Sequence, residues 1–389
     1  MKFLIPDWKS FGKEDIQDAL ETLGHQIIYY TPEPKSYRRD PKFRSECRRF
    51  IKEQQVDIIF SSNYFPILST ICHELNIPYL SWCYDNPLVL LYSDTIFHSC
   101  NHIFLFDSQM VMDLHNLGVK QAYYLPMAVN PKRLAALAAT EQQKKLLDAD
   151  VSFVGALYNE KHNLYDRFEQ LDPYTKGYLE GVIQAQRQIY GCNFLEQTLT
   201  PEILEHLTRT VPLQPNKDGH ESLAYLYANY FLCRKITQMD RQEVFSRLNK
   251  HAEIQTKLYT HNPTPQYEHI QNMGTIQYQN EMPLVFRHSR INLNITLRSI
   301  VNGIPLRAMD IMGAGGFLLT NHQNDFQLHF TEGQDYVCYD NLDDMMDKIN
   351  YYLKQDKERQ EIAENGRKLV FAEHTYLQRF EEMLSTIIM

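Results

Sequence analysis

The sequence predicts an α/β protein made of two doubly wound domains. Three observations lead there. Short apolar strands alternate with helical stripes through the first third of the chain. The stretch Asn292 to Asn321 compresses the same pattern into one strand, turn, helix and strand. The 389 residues also suffice for two domains of ordinary size. In parallel sheets of this kind, ligands sit beyond the carboxyl ends of the strands.

Lys2 to Pro6 is a first strand, and Ile16, Ala19, Leu20 and Leu23 then recur at helical spacing before Gly24 closes the helix. His25 to Tyr30, Val56 to Phe60, Pro78 to Trp82, Ile103 to Phe106 and Ala122 to Leu125 continue as strands. Helices running through Ile51 and to Leu75 separate the earlier ones. The strands end in Asp7-Trp8, Ser61-Ser62-Asn63-Tyr64, Tyr84-Asp85-Asn86-Pro87 and Asp107-Ser108. Two readings stand for these polar ends, helix capping and an acceptor site. Residues 1–130 form the first domain on this reading. Residues 131–149, rich in alanine, lysine and glutamine and without an apolar face, form a linker.

The second domain spans 150–365. Val151 to Val154 is its first strand and ends in Gly155, where a loop can approach a ligand closely. Residues 165–250 carry apolar positions at three and four spacing and read as a helical insertion, with Tyr225, Tyr227 and Tyr230 as packing. Ile254 to Tyr259 is a strand followed by Thr260-His261-Asn262-Pro263, a place for a nucleotide base beside Tyr259. In the unit 292–321, Asn302-Gly303 turns the chain and Pro305 suits a helix start. Gly315-Gly316 stops the helix. The mouth of such a helix accommodates a phosphate. Arg307 and Asp310, three apart, share a face. They form either a surface ion pair or a nucleotide site, with Asp310 on the ribose hydroxyls and Arg307 near the diphosphate. Tyr336 to Tyr339 is strand-like, and Asp343-Asp344 opens the helix after it. Residues 366–389 form a helical crossing back to the first domain.

Composition narrows the function. A net charge of −9 disfavours a nucleic-acid reader. No apolar run reaches the ~18 residues of a membrane span. The first residues lack the features of a secretion signal, and seven scattered cysteines without a CxxC fit reduced thiols, so a cytoplasmic protein is expected. Asp148-Ala149-Asp150 spells a DxD but precedes a strand. His98, Cys100 and His102 alternate without a fourth donor. No metal is expected on either count. GxSxG, HExxH, P-loop and GxGxxG motifs are absent from the sequence.

Four segments in order carry a resemblance: MPLVFRHSRINLNIT, GIPLRAMDIMGAGGFLLTN, FTEGQDYVCYDNLDDMMDKINYYL and AENGRKLVFAEHTYLQRFEEML. They resemble the C-terminal half of the CgeB-like (spore maturation protein-like) glycosyltransferases, relatives of the large retaining group with the GT-B fold. The likeness runs from about residue 150 to the end, with FVGALYNEK similar to the first donor-domain strand and YLPMAVNP to the segment leaving the N-terminal domain. It implies two Rossmann-like domains facing a cleft and a nucleotide-sugar donor, most often a UDP-sugar. The acceptor is a hydroxyl of a glycan or protein, and no further cofactor is required. It further implies Asp310 on the ribose, Asn302 at the donor sugar, Asp85 as a polar residue facing the transferred sugar, and Asp7 at the place where inverting relatives keep a general base. Ala156 stands where the wider group has an arginine, so Gly155, Lys161, Gly303, Arg298 and Arg307 are left to bind the diphosphate. Asn302 replaces a glutamate, which leaves retention and inversion both open. A nucleotide-sugar epimerase and a catalytically silent binding subunit are the alternatives.

Overall fold

The computed structural model describes residues 1–8, 12–160 and 163–388 in two compact units. The first holds Met1–Asn130, Pro215–Ser222 and Glu373–Met389. The second holds Pro131–Gln214 and Leu223–Ala372.

The first unit is a six-stranded parallel sheet. Its strands are β1 (Lys2–Pro6), β2 (Gln26–Tyr30), β3 (Ile58–Ser62), β4 (Tyr79–Cys83), β5 (Asn101–Leu105) and β6 (Ala122–Tyr124), in the order β2-β1-β3-β4-β5-β6. A sheet covered on both faces needs strands that are apolar throughout, and Phe3, Leu4, Ile58, Ile59, Phe60, Tyr79 and Leu80 are all buried. Asp40 caps the helix Pro41–Gln54 by accepting from Phe43 N at 3.0 Å. Asp107 caps Ser108–Asn116 through Gln109 N at 2.9 Å. Capping is therefore one real use of the polar strand ends.

The second unit carries β7 (Ala149–Val154), β8 (Thr256–Tyr259), β9 (Ile270–Asn272), β10 (Ser289–Asn294), β11 (Leu318–Asn321) and β12 (Val337–Tyr339). They form a parallel sheet in the order β12-β11-β10-β7-β8-β9. Asn292, fully buried in β10, accepts from Ser152 Oγ at 2.8 Å and donates to Phe286 O at 3.0 Å. This joins two strands to the helix Met282–His288. After β10 the helix Leu306–Ala314 ends at Gly315, whose φ of +83° is left-handed. Gly316 then passes so close to Asn292 Nδ2 that an added Cβ would lie 2.7 Å from it. The insertion has its own core around Phe168, Leu179, Ile203, Tyr227 and Phe231. Tyr227 packs there and donates to Val211 O at 2.6 Å.

Two expectations need correction. Residues 131–149 do not form a plain linker: helices Pro131–Ala136 and Glu141–Leu147 occupy them, the second started by a capping box between Thr140 and Gln143. A short helix anchored by single buried leucines, Leu134 and Leu147, shows no stripe in sequence. The insertion is not confined to the second unit either, because residues 215–222 belong to the first. There Asp94 N donates to Asp218 O at 2.8 Å, His220 N donates to Tyr92 O at 2.6 Å, and Arg38 pairs with Asp218 at 3.1 Å. The C-terminal segment is helical in two pieces. One helix ends at Glu373, and after His374 a new one, Tyr376–Ile388, packs on the first sheet with the Phe380 ring 5.1 Å from Phe60.

Candidate active site

The carboxyl ends of the second sheet form one hydrogen-bonded rim. Gly155 N donates to Tyr259 O at 3.1 Å, and Leu157 N donates to Asn262 Oδ1 at 2.6 Å, so the loops after β7 and β8 are fixed to each other. Thr296 N donates to Asn321 Oδ1 at 2.8 Å. Asn321 Nδ2 reaches Gln323 Oε1 at 3.0 Å, and Gln323 Nε2 donates to the carbonyls of Ile300 and Gly303 at 3.1 and 3.2 Å. Gly303 is thereby pinned just ahead of the helix Leu306–Ala314. Asn302 Oδ1 accepts from Asn324 Nδ2 at 2.6 Å. An open groove of about 560 Å³ lies at the ends of β8 and β9, lined by Thr260, Asn262, Pro263, Thr264 and Asn272. Tyr259 is buried beside it, and its hydroxyl has no hydrogen-bond partner. Burial pushes that phenol up to about 12.

The arginines divide into two kinds. Arg298 is buried and committed: Nε binds Asp240 Oδ2 at 2.7 Å, and the terminal nitrogens donate to Ile189 O at 2.8 Å and Arg187 O at 3.0 Å. It braces the insertion, so its geometry does not favour the expected diphosphate role. Arg307 contacts Asp310 Oδ2 at 3.2 Å and rests on Met282 and the Phe286 ring. Arg241, which the sequence did not single out, is different. From the helix Cys233–Leu248 it donates to Ala156 O and Ile295 O, at the ends of β7 and β10, and burial lowers its pKa. Lys161 lies outside the described residues.

Asp310 sits on the second turn of its helix and is almost fully buried. Tyr278 donates to Oδ1 at 2.7 Å while Arg307 takes Oδ2. These bonds orient the carboxylate. Tyr278 has no sequence signal of its own, since it sits in a short irregular stretch 32 residues away.

The first unit gathers its own polar rim. Asn63, held at a left-handed φ of +74°, accepts from Tyr84 N and Asp85 N at 3.0 and 3.1 Å. Its Nδ2 donates to Asp85 Oδ2 at 2.8 Å. Asp85 keeps an exposed side, yet partial loss of hydration raises its carboxyl pKa against the lowering effect of that bond. Asn86 Nδ2 reaches Asp107 Oδ2 at 3.3 Å. Asp7 is held otherwise, since Lys13 Nζ lies 2.6 Å from Oδ1 and stacks on Tyr29. The Asp7 carboxylate is thus engaged by a cation, whereas Asp85 keeps an exposed side.

Asp150 and the His98–Cys100 pair have different surroundings from those their spacing suggested. Asp150 accepts from Gln255 N and pairs with Arg290, both at 3.0 Å, at the amino end of β7 and so away from the rim. Cys100 and His98 gather with His73 and not with His102. One ligand atom of each of these three residues lies within 4.8 Å of the others, and the two imidazoles stack at 4.2 Å and 12°.

Two parallel six-stranded sheets of this kind, one carrying a helical insertion, define the GT-B fold. The Anabaena protein HepE, solved with UDP-glucose, superposes with a TM-score of 0.57 at 9% identity, covering 100% of this chain and 99% of that one. Sucrose-phosphate synthase from Thermosynechococcus elongatus gives 0.56 at 10%, covering 100% and 99%. A glycosyltransferase from Rickettsia africae gives 0.54 at 11%, covering 99% and 97%. At such identities the likeness establishes the fold. Residues 234–385 match the family model described as glycosyl transferase-like. No curated protein matches it by sequence.

Proposed function

We propose that the protein is a glycosyltransferase, of the CgeB-like branch, that moves a sugar from a nucleoside diphosphate sugar to a hydroxyl of a glycan or protein. UDP-sugars are the first donors to try, because one superposed structure holds UDP-glucose. The observation that carries this reading is the strand-helix-strand unit β10 to β11. Its helix opens at the carboxyl rim, with a carboxylate fixed on its second turn.

In this reading the nucleotide base uses the groove at Thr260–Thr264 beside Tyr259, and Asp310 accepts from the ribose hydroxyls. The glycosidic C–O bond breaks with its electron pair passing to the β-phosphate oxygen. The partial positive charge of the helix mouth and the pinned loop at Gly303 stabilise that developing charge without a metal. The acceptor oxygen bonds to the anomeric carbon. Its proton goes to Asp85 if configuration inverts, or to the departing phosphate if it is retained. Asn302 hydrogen-bonds a sugar hydroxyl in either case. No helix among the described residues is long and apolar enough to cross a membrane, and a cytoplasmic setting belongs to the same reading.

The test is nucleotide release from a panel of UDP-, GDP- and ADP-sugars, with and without acceptor alcohols and with EDTA. Acceptor-dependent release that survives EDTA is expected. An altered sugar nucleotide formed without acceptor would mark an epimerase. Binding without turnover would mark a silent subunit.

A further inference from the structure

We propose that His73, His98 and Cys100 form a binding site for one zinc-class ion in the first unit, separate from the sugar-nucleotide chemistry proposed above. His73 sits in the last turn of the helix Pro66–Leu75, and His98 and Cys100 belong to the turn that leads into β5. All three therefore lie at the amino edge of the first sheet, whereas Asp85 and Asp107 lie beyond its carboxyl ends. One ligand atom from each falls within 4.8 Å of the other two. Alternation in the sequence groups His98 and Cys100 with His102, but His102 Nδ1 lies 3.0 Å from Thr386 Oγ1, on the C-terminal helix. The helix Pro66–Leu75 supplies the third donor instead.

A buried network fixes His98 for this work. Asn101 is fully buried and donates through Nδ2 to Thr95 O at 2.8 Å and Ile96 O at 3.1 Å, which turns its Oδ1 toward Ser69. Ser69 Oγ lies 2.7 Å from that Oδ1, a contact that only the hydroxyl proton makes favourable. Thr95 O, 3.1 Å from the same hydroxyl, is likewise only an acceptor. With its proton committed to an oxygen, Ser69 Oγ accepts from His98 Nδ1 at 3.0 Å. The resulting tautomer carries a lone pair on Nε2, the form of imidazole that binds a metal. Ser69 and His73 are four apart on one helix, so the residue that orients one ligand shares a face with another. Cys100 is anchored through its carbonyl, which accepts from Tyr79 N at 2.8 Å, and its sulfur rests 3.7 Å from Ser69 O. The two imidazoles stack at 4.2 Å and 12°, and a shared ion must lie in the plane of each ring, so one ring has to turn. His73 is exposed, and the broad χ2 preference of histidine lets it turn at little cost. Glu74, beside it in sequence, is already ion-paired with Arg44 and Arg48. Two imidazoles and a thiol select zinc over magnesium, calcium or manganese. Water completes a tetrahedral shell, and the thiol proton leaves to solvent as the sulfur–metal bond forms.

Cobalt titration of the untagged, chelator-stripped whole chain, kept reduced with a phosphine, tests the site by absorbance, using wild type, C100S, H73Q, S69A and H102Q. Wild type should take up one cobalt ion per chain, show a thiolate-to-cobalt charge-transfer band in the near ultraviolet, and lose it to added zinc. C100S should lack the band. H73Q and S69A should each bind about tenfold or more weakly, the second through the orientation of His98, and H102Q should bind as wild type does. A wild type without the band would overturn the site. So would binding unchanged in C100S or in H73Q, an exposed replacement with little to unfold. The readout uses no nucleotide, so its failure is distinct from failure of the proposed function.

Discussion

Asp310 and Asp85 are both carboxylates at strand-end loops or helices, and the proposed function gives them different work. Asp310 is oriented by Tyr278 and Arg307, so Asp310→Asn should weaken UDP binding while abolishing most of the preference for UDP over its 2′-deoxy analogue. Competition binding with the two nucleotides reads this out. If the preference survives intact, the ribose assignment fails. Asp85→Asn should leave nucleotide affinity unchanged and lower turnover. Its pH behaviour has a definite sign, because burial raises the carboxyl pKa in the fold. A raised carboxyl contributes stability fully below its unfolded pKa and loses it as pH rises through the folded value. Asp85→Asn should therefore gain stability over wild type at pH 7 relative to pH 4 in urea titrations. Activity should run the other way: a base must be ionised, so the acid limb of wild-type kcat/KM should disappear in the variant. The pairing of Arg307 with Asp310 was legible from their spacing. The commitment of Arg298 was not, since its carboxylate lies 58 residues earlier on a different helix.

Among the elements, the unit from β10 to β11 is the best determined by local chemistry. The strand alternation, the proline at the helix start and the paired glycines at its end agree with one another, and the helix forms between them. Gly316 is required for close approach. Gly316→Ala would set a Cβ 2.7 Å from both Asn292 Nδ2 and Phe286 O, and should cost about 1–3 kcal/mol by chemical denaturation. An unchanged midpoint would mean the strand shifts freely there. The helices over 131–147 escaped notice for the opposite reason. Their starts rest on a capping box and their burial on isolated leucines, which leave no periodic signal. The existence of the insertion was legible from its three and four spacing, whereas the departure of residues 215–222 was not, because contacts with Arg38, Tyr92 and Asp94 are encoded far away.

For the molecule as a whole, the second unit is assigned the donor, and hydrogen exchange tests that division. UDP should protect amides in 155–160, 259–263 and 296–310. Protection confined to the first unit would reverse the assignment. The segment 215–222 gives a separate test, as Arg38 pairs with Asp218, donates to Val89 O and approaches Glu221. Arg38→Ala should speed proteolytic cutting within 215–222 without much change in the overall melting temperature, and equal cutting rates would show that Arg38 does not hold it. The same segment, with the helix Tyr376–Ile388, means that no contiguous stretch of sequence encodes the first unit. A gene shortened to codons 1–130 would leave Phe60 and Trp82 without Phe380 and Tyr376 against them. The halves of this protein cannot be exchanged as cassettes at that boundary. A chimera would have to carry three separate pieces from one parent for its first unit to fold.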